Sequence, residues 1–280
     1  MMECFEVIKT VLDELYNEMA GTDTQKDDLI HERLAYLSDA YKDLTRSDRP
    51  AVEYRDPVTR FAYIYKYVTS HANIVYDLLG EHKPLQALFK RESVDVTCVG
   101  GGPGSDFLGI LKYMQAVGAK SALKCYLFDG EPAWGESWAD VDQKVSGCEF
   151  RISTIFQVFD VTIPDTYEIH RKCLKADLFT VIYFVSEVYR QRQEARAFFD
   201  NLFSSAESGS LLLFVDNARS EFYGWFDDVA RKHGMAAIAS QLAQATIGVD
   251  EDKEALGIYY TKFGWPKMKT QISYRLWQKP

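Results

Sequence analysis

The chain has 280 residues, 47% of them hydrophobic and 14% aromatic, enough apolar material for a sizeable core; this excludes disorder as the general state. Against 32 basic side chains stand 41 acidic ones, a net charge of −9 that opposes binding to a nucleic-acid backbone, so DNA is not expected as a partner. The N-terminal stretch MMECFEVIKTVLDEL carries acids at positions 3 and 14 and does not read as a signal peptide. No stretch approaches the roughly 18 apolar residues of a membrane span, and a cytoplasmic location is expected.

Up to about residue 91 the pattern is helical. Phe5, Ile8, Leu12, Leu15 and Met19 step by three and four, as do Ile30, Leu34, Leu37, Tyr41 and Leu44. A third helix is predicted to start at Asp56-Pro57, a capping side chain followed by a first-turn proline. It carries Phe61, Ile64, Val68, Ala72, Val75 and Leu79 on one stripe, and Gly80 and Pro84 break it. Tyr63 and Tyr67, four residues apart, share a different face, where they either form a lid over a site or cover the edge of a sheet. His71 follows on the same helix and is read as a structural histidine before a base.

From residue 92 onward the period changes. Apolar runs at 94–99, 123–128, 178–185 and 211–215 are short and rich in β-branched or aromatic residues, the look of parallel strands buried on both faces. A further strand is expected near 150–159. Helical stretches at 105–117, 135–146, 191–206 and 220–232 lie between the runs, and such alternation predicts an α/β sheet with right-handed crossovers. The final part, 264–280, has alternating Ile272, Tyr274 and Leu276 and suits a last strand, antiparallel, at or near the edge. The expected organisation is a helical N-terminal cap region over 1–91 and an α/β domain over 92–280.

The most informative segment is VDVTCVGGGPGSD, residues 94–106, where an apolar strand runs into Gly100, Gly101, Gly102, Pro103 and Gly104 before a helix. Glycines there let the backbone turn sharply and approach a ligand closely. The dinucleotide fingerprint G-x-G-x-x-G fails, because its third glycine would fall on Ser105. The second strand ends at Leu127-Phe-Asp-Gly-Glu131, the third is followed by Asp160-Val161, and the fourth leads into Ser186-Glu187-Val188-Tyr189. Each strand end is where open α/β sheets bind ligands.

This succession resembles the class I S-adenosylmethionine-dependent methyltransferases. The resemblance implies a Rossmann-like methyltransferase fold with a mostly parallel sheet of about seven strands. It implies that the loop Gly100–Gly104 passes under the methionine and ribose portions of S-adenosylmethionine. An acid at the second strand end, Asp129 first and Glu131 second, would take the ribose hydroxyls, and Asp160 with Val161 would meet adenine. Ser186, Glu187 and Tyr189 would face the methyl group and acceptor. The segments 176–189, 209–217 and 61–67 also look similar to ribosomal-RNA uracil-N3 methyltransferases; the uracil substrate is not carried across on strand-end patterns alone.

Other residues divide between site and scaffold. Trp134 is placed to flank adenine, whereas Trp138, Val141 and Val145 share core spacing. Glu187 ends an apolar strand, where a carboxylate is costly to bury without a partner, so it is the candidate to bind an acceptor or take its proton, with Tyr63, Tyr67 and Tyr189 beside it. Asp216 and Asn217 belong either to the acceptor side or to a cap before Ser220, and Asp106 either to the helix dipole or to the methionine amino group. Lys262, Lys267 and Lys269 with Phe263 and Trp265 read as a solvated hairpin, with RNA contact as the alternative. The run 250–254 reads as an exposed acidic loop. The five cysteines are scattered and read as reduced core thiols, and no set of His, Cys, Asp or Glu has metal-ligand spacing. The expected activity is methyl transfer to a small-molecule N or O acceptor. The alternatives are a uracil-type RNA substrate and a non-catalytic S-adenosylmethionine-binding sensor or partner subunit.

Overall fold

The computed structural model describes residues 2–42, 44, 52–145, 148–170, 172–246 and 251–280. Helix α1 (Cys4–Glu18) buries Phe5, Ile8, Leu12 and Leu15, as their spacing requires. Helix α2 (Asp23–Ala40) opens with a capping box, in which Thr22 and Gln25 satisfy each other's backbone N–H. Only Ile30 and Leu37 of its apolar residues are fully buried, and it ends before the expected Leu44, with Tyr41 as its C-cap.

Helix α3 (Pro57–Tyr63) starts as predicted: the Asp56 side chain accepts the Val58 N–H at 3.2 Å and Pro57 occupies the first turn. It widens into a π turn over Ile64–Val68 and resumes as α4 (Thr69–Glu81). The whole stripe from Phe61 to Leu79 is buried, and the π turn inserts one extra residue per turn between its halves. Helix α5 (Lys83–Leu88) leads into the sheet.

Strand β1 (Ser93–Val99), α6 (Ser105–Ala116), β2 (Ala122–Asp129), α7 (Trp134–Val145) and β3 (Ile152–Val158) alternate as expected. They are followed by α8 (Pro164–Glu168), β4 (Leu178–Ile182), α9 (Val185–Val188), α10 (Arg192–Ser205), β5 (Leu211–Asn217) and α11 (Ser220–Lys232). The chain closes with β6 (Ala236–Thr246), α12 (Ile258–Phe263) and β7 (Lys269–Gln278). The sheet order is β3-β2-β1-β4-β5-β7-β6, with β1 to β5 parallel and β7 antiparallel to both neighbours.

Three local features differ from the sequence reading. Strand β4 stops at Ile182 rather than at 185, because Tyr183 turns into the left-handed region with φ 54°. Strand β6 was not anticipated; its sequence AAIASQLAQAT lacks the bulky alternation of a half-buried strand, and it lies at the sheet edge, placing β7 next to the edge. The lysine-aromatic segment is not a hairpin: Lys262 and Phe263 end α12, Lys262 pairs with Asp27 at 2.8 Å, and Phe263 packs against Phe61 and Tyr65.

The N-terminal helices share one apolar cluster with one face of the sheet, running from Phe5 through Phe61, Val68 and Val75 to Val96, Phe107 and Leu213. Helix α4 lies close on α6 at Gly109, where a Cβ would fall 2.3 Å from the Ala72 carbonyl oxygen. The opposite face carries an aromatic cluster that includes Phe128, Phe159, Phe198, Phe199, Phe214 and Phe226. Four of the cysteines are buried and Cys148 is half-buried, all as free thiols.

The expected exposed acidic loop holds at Asp252 and Glu254 and is corrected at Glu251. Asp250 lies outside the described residues, and Glu251 is buried. Its carboxylate accepts the Lys112 ammonium at 2.8 Å, the Asn73 amide at 3.1 Å, and the Cys4 and Phe5 N–H groups at 3.2 and 3.1 Å. Four donors on one carboxylate tie α1, α4 and α6 to the segment before α12.

Candidate functional site

The loop between β1 and α6 is held from both sides. The Gly101 N–H donates to the Phe128 carbonyl at 2.9 Å, linking the loop to the end of β2. At Gly100, φ is +68° and a Cβ would fall 2.0 Å from the Phe184 ring. At Gly104 a Cβ would fall 2.4 Å from Trp138, whose ring is core and meets Phe107 edge-on. At Gly102 an added Cβ would meet Asp129 and Trp134 at ordinary contact distance, 3.6 and 3.8 Å, without a clash.

Asp129, the last residue of β2, is locked in place by backbone donors. Gly102 donates to Oδ2 and Glu131 to Oδ1, each at 2.9 Å. Burial pushes its carboxyl up to about 6 against those hydrogen bonds, with the Glu131 charge adding to the rise. Glu131 accepts the Ala133 N–H at 3.1 Å and faces the Arg55 guanidinium at 3.5 Å. Asp160 accepts the Thr162 N–H and hydroxyl on one oxygen, at 2.8 and 2.7 Å.

These residues line one cavity of about 750 Å³. Gly100, Gly102, Pro103, Asp129, Glu131, Trp134, Asp160 and Val161 form its floor and one side. Tyr36, Tyr41, Tyr54, Tyr63, Tyr183, Phe184 and Glu187 form the other. The rings make a continuous wall: Tyr54 lies 5.1 Å from Trp134 and 5.4 Å from Tyr63, and Tyr63 lies 5.5 Å from Trp134.

Glu187 sits on α9 rather than at the end of the strand. Its side chain keeps surface towards the cavity yet is ringed by protein, and this crowding raises its carboxyl to about 7. The hydrogen bond from Tyr41 opposes the rise, and the Asp129 charge adds to it. The Tyr41 hydroxyl lies 2.7 Å and the Tyr54 hydroxyl 3.3 Å from Oε1, and the two hydroxyls also bond to each other, so two protons are shared among three contacts. Burial, then the Glu187 charge, pushes the phenols of Tyr41, Tyr54 and Tyr63 well above their ordinary range, so they are neutral.

Five of the residues assigned to cofactor or catalysis from the sequence do not line the cavity. Gly101 and Gly104 lie beneath the loop. Ser186 is buried under the cavity, donating its N–H to Asp216 at 2.8 Å. Tyr67 stands one layer behind Tyr41 and Tyr63, at 5.2 and 5.3 Å. Tyr189 meets Phe222 edge-on at 5.1 Å and carries the Arg192 guanidinium over its ring at 4.6 Å, away from Glu187.

The second layer explains how the wall is held. Asp216 is fully buried and accepts the backbone N–H groups of Ser186 and Asn217, fixing the start of α9; burial raises its carboxyl to about 6. Tyr183, held at positive φ, donates its N–H to the Val215 carbonyl at 2.7 Å and stacks on His71 at 4.1 Å. Burial lowers His71 to about 3, so its ring is neutral and supports Tyr183 by packing. Asp106 points under the loop and accepts the Thr180 and Ser105 hydroxyls at 2.5 and 3.2 Å; burial raises it to about 7.

Tyr54, Tyr183 and Phe184 were missed as site residues, and Tyr41 was read only as part of an apolar stripe. Tyr54 belongs to no periodic segment. Tyr183 and Phe184 read as strand, and only the left-handed turn at Tyr183 brings them to the cavity.

No protein-family model matches the chain, and no curated protein matches it in sequence. Solved structures do match. An O-methyltransferase family protein from Burkholderia thailandensis aligns over 90% of this chain and 72% of its own, with TM-score 0.51 and 14% identity. The CurJ carbon methyltransferase aligns over 91% and 67%, with TM-score 0.49 and 11% identity. An O-methyltransferase family 2 protein from Planctomyces limnophilus, solved in complex with apigenin, aligns over 96% and 65%, with TM-score 0.45 and 12% identity. The chain has the Rossmann-like fold of the class I methyltransferases, as the glycine loop and strand ends led us to expect. Among the described residues no helix is long and apolar enough to cross a membrane, and no group of three or more His, Cys, Asp or Glu is placed to hold a metal ion.

Proposed function

We propose that the chain is an S-adenosylmethionine-dependent methyltransferase acting on a nitrogen or oxygen of a small molecule. The observation that carries this reading is Asp129. Its carboxylate is fixed by two backbone donors at the mouth of the glycine loop, beside Gly102 on the cavity lining. A carboxylate so held can take two neighbouring hydroxyls at once. Gly100, Gly102 and Pro103 leave room for a ligand to pass close to the backbone, while Trp134, Asp160 and Val161 supply a flat apolar and polar edge for a purine.

S-adenosylmethionine, when bound, supplies a methyl group already made electrophilic by its sulfonium. The residues of this chain then have to align the acceptor and keep water out, and alignment of this kind contributes roughly 7–11 kcal/mol. Tyr54, Tyr63 and Trp134 supply the apolar enclosure. Glu187 is the group that takes an acceptor proton, because it faces the cavity and its carboxyl lies near neutrality. Tyr41 and Tyr54 engage its Oε1, and among the described residues no hydrogen bond reaches Oε2. Lys262 is already committed to Asp27 and the cavity lining is acidic, which favours a small molecule over RNA. Five free thiols fit a reducing, cytoplasmic compartment.

The test is calorimetric titration with S-adenosylmethionine and S-adenosylhomocysteine, with Asp129→Ala in parallel. Micromolar binding lost in the variant is expected, and absence of binding to either ligand refutes the reading. Release of S-adenosylhomocysteine in the presence of an acceptor separates an enzyme from a non-catalytic binder.

A further inference from the structure

The end of the cavity around Glu187 is dominated by its carboxylate and the bonded Tyr41–Tyr54 hydroxyl pair. Among the described residues nothing donates to Oε2, and no Lys or Arg forms an ion pair with this carboxylate. The Tyr41 and Tyr54 hydroxyls share two protons among three contacts, with Oε1 of Glu187 and with each other, so no proton is left over and these oxygens present lone pairs. Asp129, Glu131 and Asp160 add negative charge along the same lining; Arg190, the basic lining residue, has its Nε directed at the Leu44 carbonyl. The wall above is Tyr54, Tyr63 and Trp134 in mutual contact.

We propose that the acceptor is a cationic amine, seated as its ammonium between Glu187 and the Tyr54–Tyr63–Trp134 wall. The proposal rests on the methyltransferase reading of the cavity and adds the substrate class. An ammonium offers only donors and a positive charge, which complements acceptor oxygens, an unpaired carboxylate and aromatic rings together. A carboxylic acid would meet five acids on the lining, and an alcohol would bring no positive charge to them. An N–H bond of the ammonium breaks and its proton passes to Oε2 of Glu187. The lone pair left on nitrogen forms the new N–C bond to the methyl carbon, and the S–C bond breaks with its electron pair remaining on sulfur, which becomes a neutral thioether. The product leaves as a methylated ammonium, and the protonated Glu187 returns its proton to water.

The test uses the full chain saturated with S-adenosylhomocysteine, titrated with 2-phenylethylamine, 2-phenylethanol and 3-phenylpropionate. The amine is expected to bind at least about tenfold tighter than the alcohol, with no binding of the acid. Glu187→Gln should remove that preference, and its retained binding of S-adenosylhomocysteine reports that the variant is folded. The proposal is overturned if the alcohol binds as well as the amine, if the amine does not bind, or if Glu187→Gln leaves the ratio unchanged. It is also overturned if the amine competes with S-adenosylhomocysteine, since the acidic end would then serve that ligand's own ammonium. Failure of S-adenosylhomocysteine to bind at all refutes the methyltransferase reading, and the amine proposal with it.

Discussion

Gly100 and Gly118 form a matched pair that separates two costs. Both hold positive φ, +68° and +62°, so alanine at either meets the same backbone penalty. At Gly118 an added Cβ has nothing within 4 Å, whereas at Gly100 it would fall 2.0, 2.5 and 2.7 Å from three carbons of the Phe184 ring. The left-handed conformation costs an L-residue about 1–2 kcal/mol, offset in part by the stiffer unfolded chain, so Gly118→Ala should lose about 1 kcal/mol. Gly100→Ala adds overpacking of about 1–3 kcal/mol, for a total of about 2–4 kcal/mol. Phe184 lines the cavity, so its displacement should also weaken S-adenosylhomocysteine binding, which Gly118→Ala should leave intact. Urea denaturation and calorimetry on the two variants provide the measurement. Equal destabilisation in both, with binding retained in Gly100→Ala, would refute the claim that the loop is packed against Phe184.

Three further outcomes are expected. Lys112→Met leaves the Glu251 carboxylate buried without its cation and should destabilise the protein by about 3–5 kcal/mol in urea; a loss under about 1 kcal/mol would show that Glu251 reaches water. Methyl transfer should rise with pH as Glu187 ionises near 7, and that limb should vanish in Glu187→Gln. The groups facing Glu187 are the phenols of Tyr41, Tyr54, Tyr63 and Tyr67, which stay neutral, and Asp129 and Asp216, which titrate near 6; a limb that survives in the variant would belong to them. Asp106, raised to about 7, stabilises the fold while protonated and loses that contribution as pH rises from its ordinary range through 7. Asp106→Asn should therefore gain stability relative to the parent at about pH 8 and lose the advantage at about pH 5, as thermal melts at the two pH values would show.

The parallel strands and the glycine loop were legible because their signals are local. Residues 94–104 carry both the apolar run and the turn chemistry, and the helices at 105–116 and 220–232 follow from 3.6-residue spacing over more than ten positions. What stayed hidden depends on contacts between distant segments. The acid at 251 reads as solvent-exposed in its neighbourhood, and only Lys112, Asn73 and the backbone of α1 make its burial tolerable. Strand β6 is rich in alanine, a residue of low strand propensity, and exists because β7 offers it a partner. Tyr189 lies two residues from Glu187 but turns towards Phe222, since a one-turn helix separates their directions.

The cavity owes its character to a seam rather than to the sheet alone. Its floor comes from the ends of β1 and β2, elements whose sequence is dictated by burial and close turns. The opposite wall comes from Tyr41, Tyr54 and Tyr63, which stand on segments of the N-terminal region with no such constraint. Glu187 is the junction, carried by the sheet side and bonded by both tyrosines of the helical side. The hydrogen bonds of both tyrosine hydroxyls hold the Glu187 carboxyl down, so Tyr41→Phe and Tyr54→Phe should each raise it further above about 7 and move the activity limb to higher pH. The shift should be larger for Tyr41, whose bond is 2.7 Å against 3.3 Å for Tyr54. A limb that moves to lower pH in Tyr41→Phe would mean that water replaces the phenol and solvates the carboxylate, and the helical side would then act as a cover rather than as part of the acid-base unit.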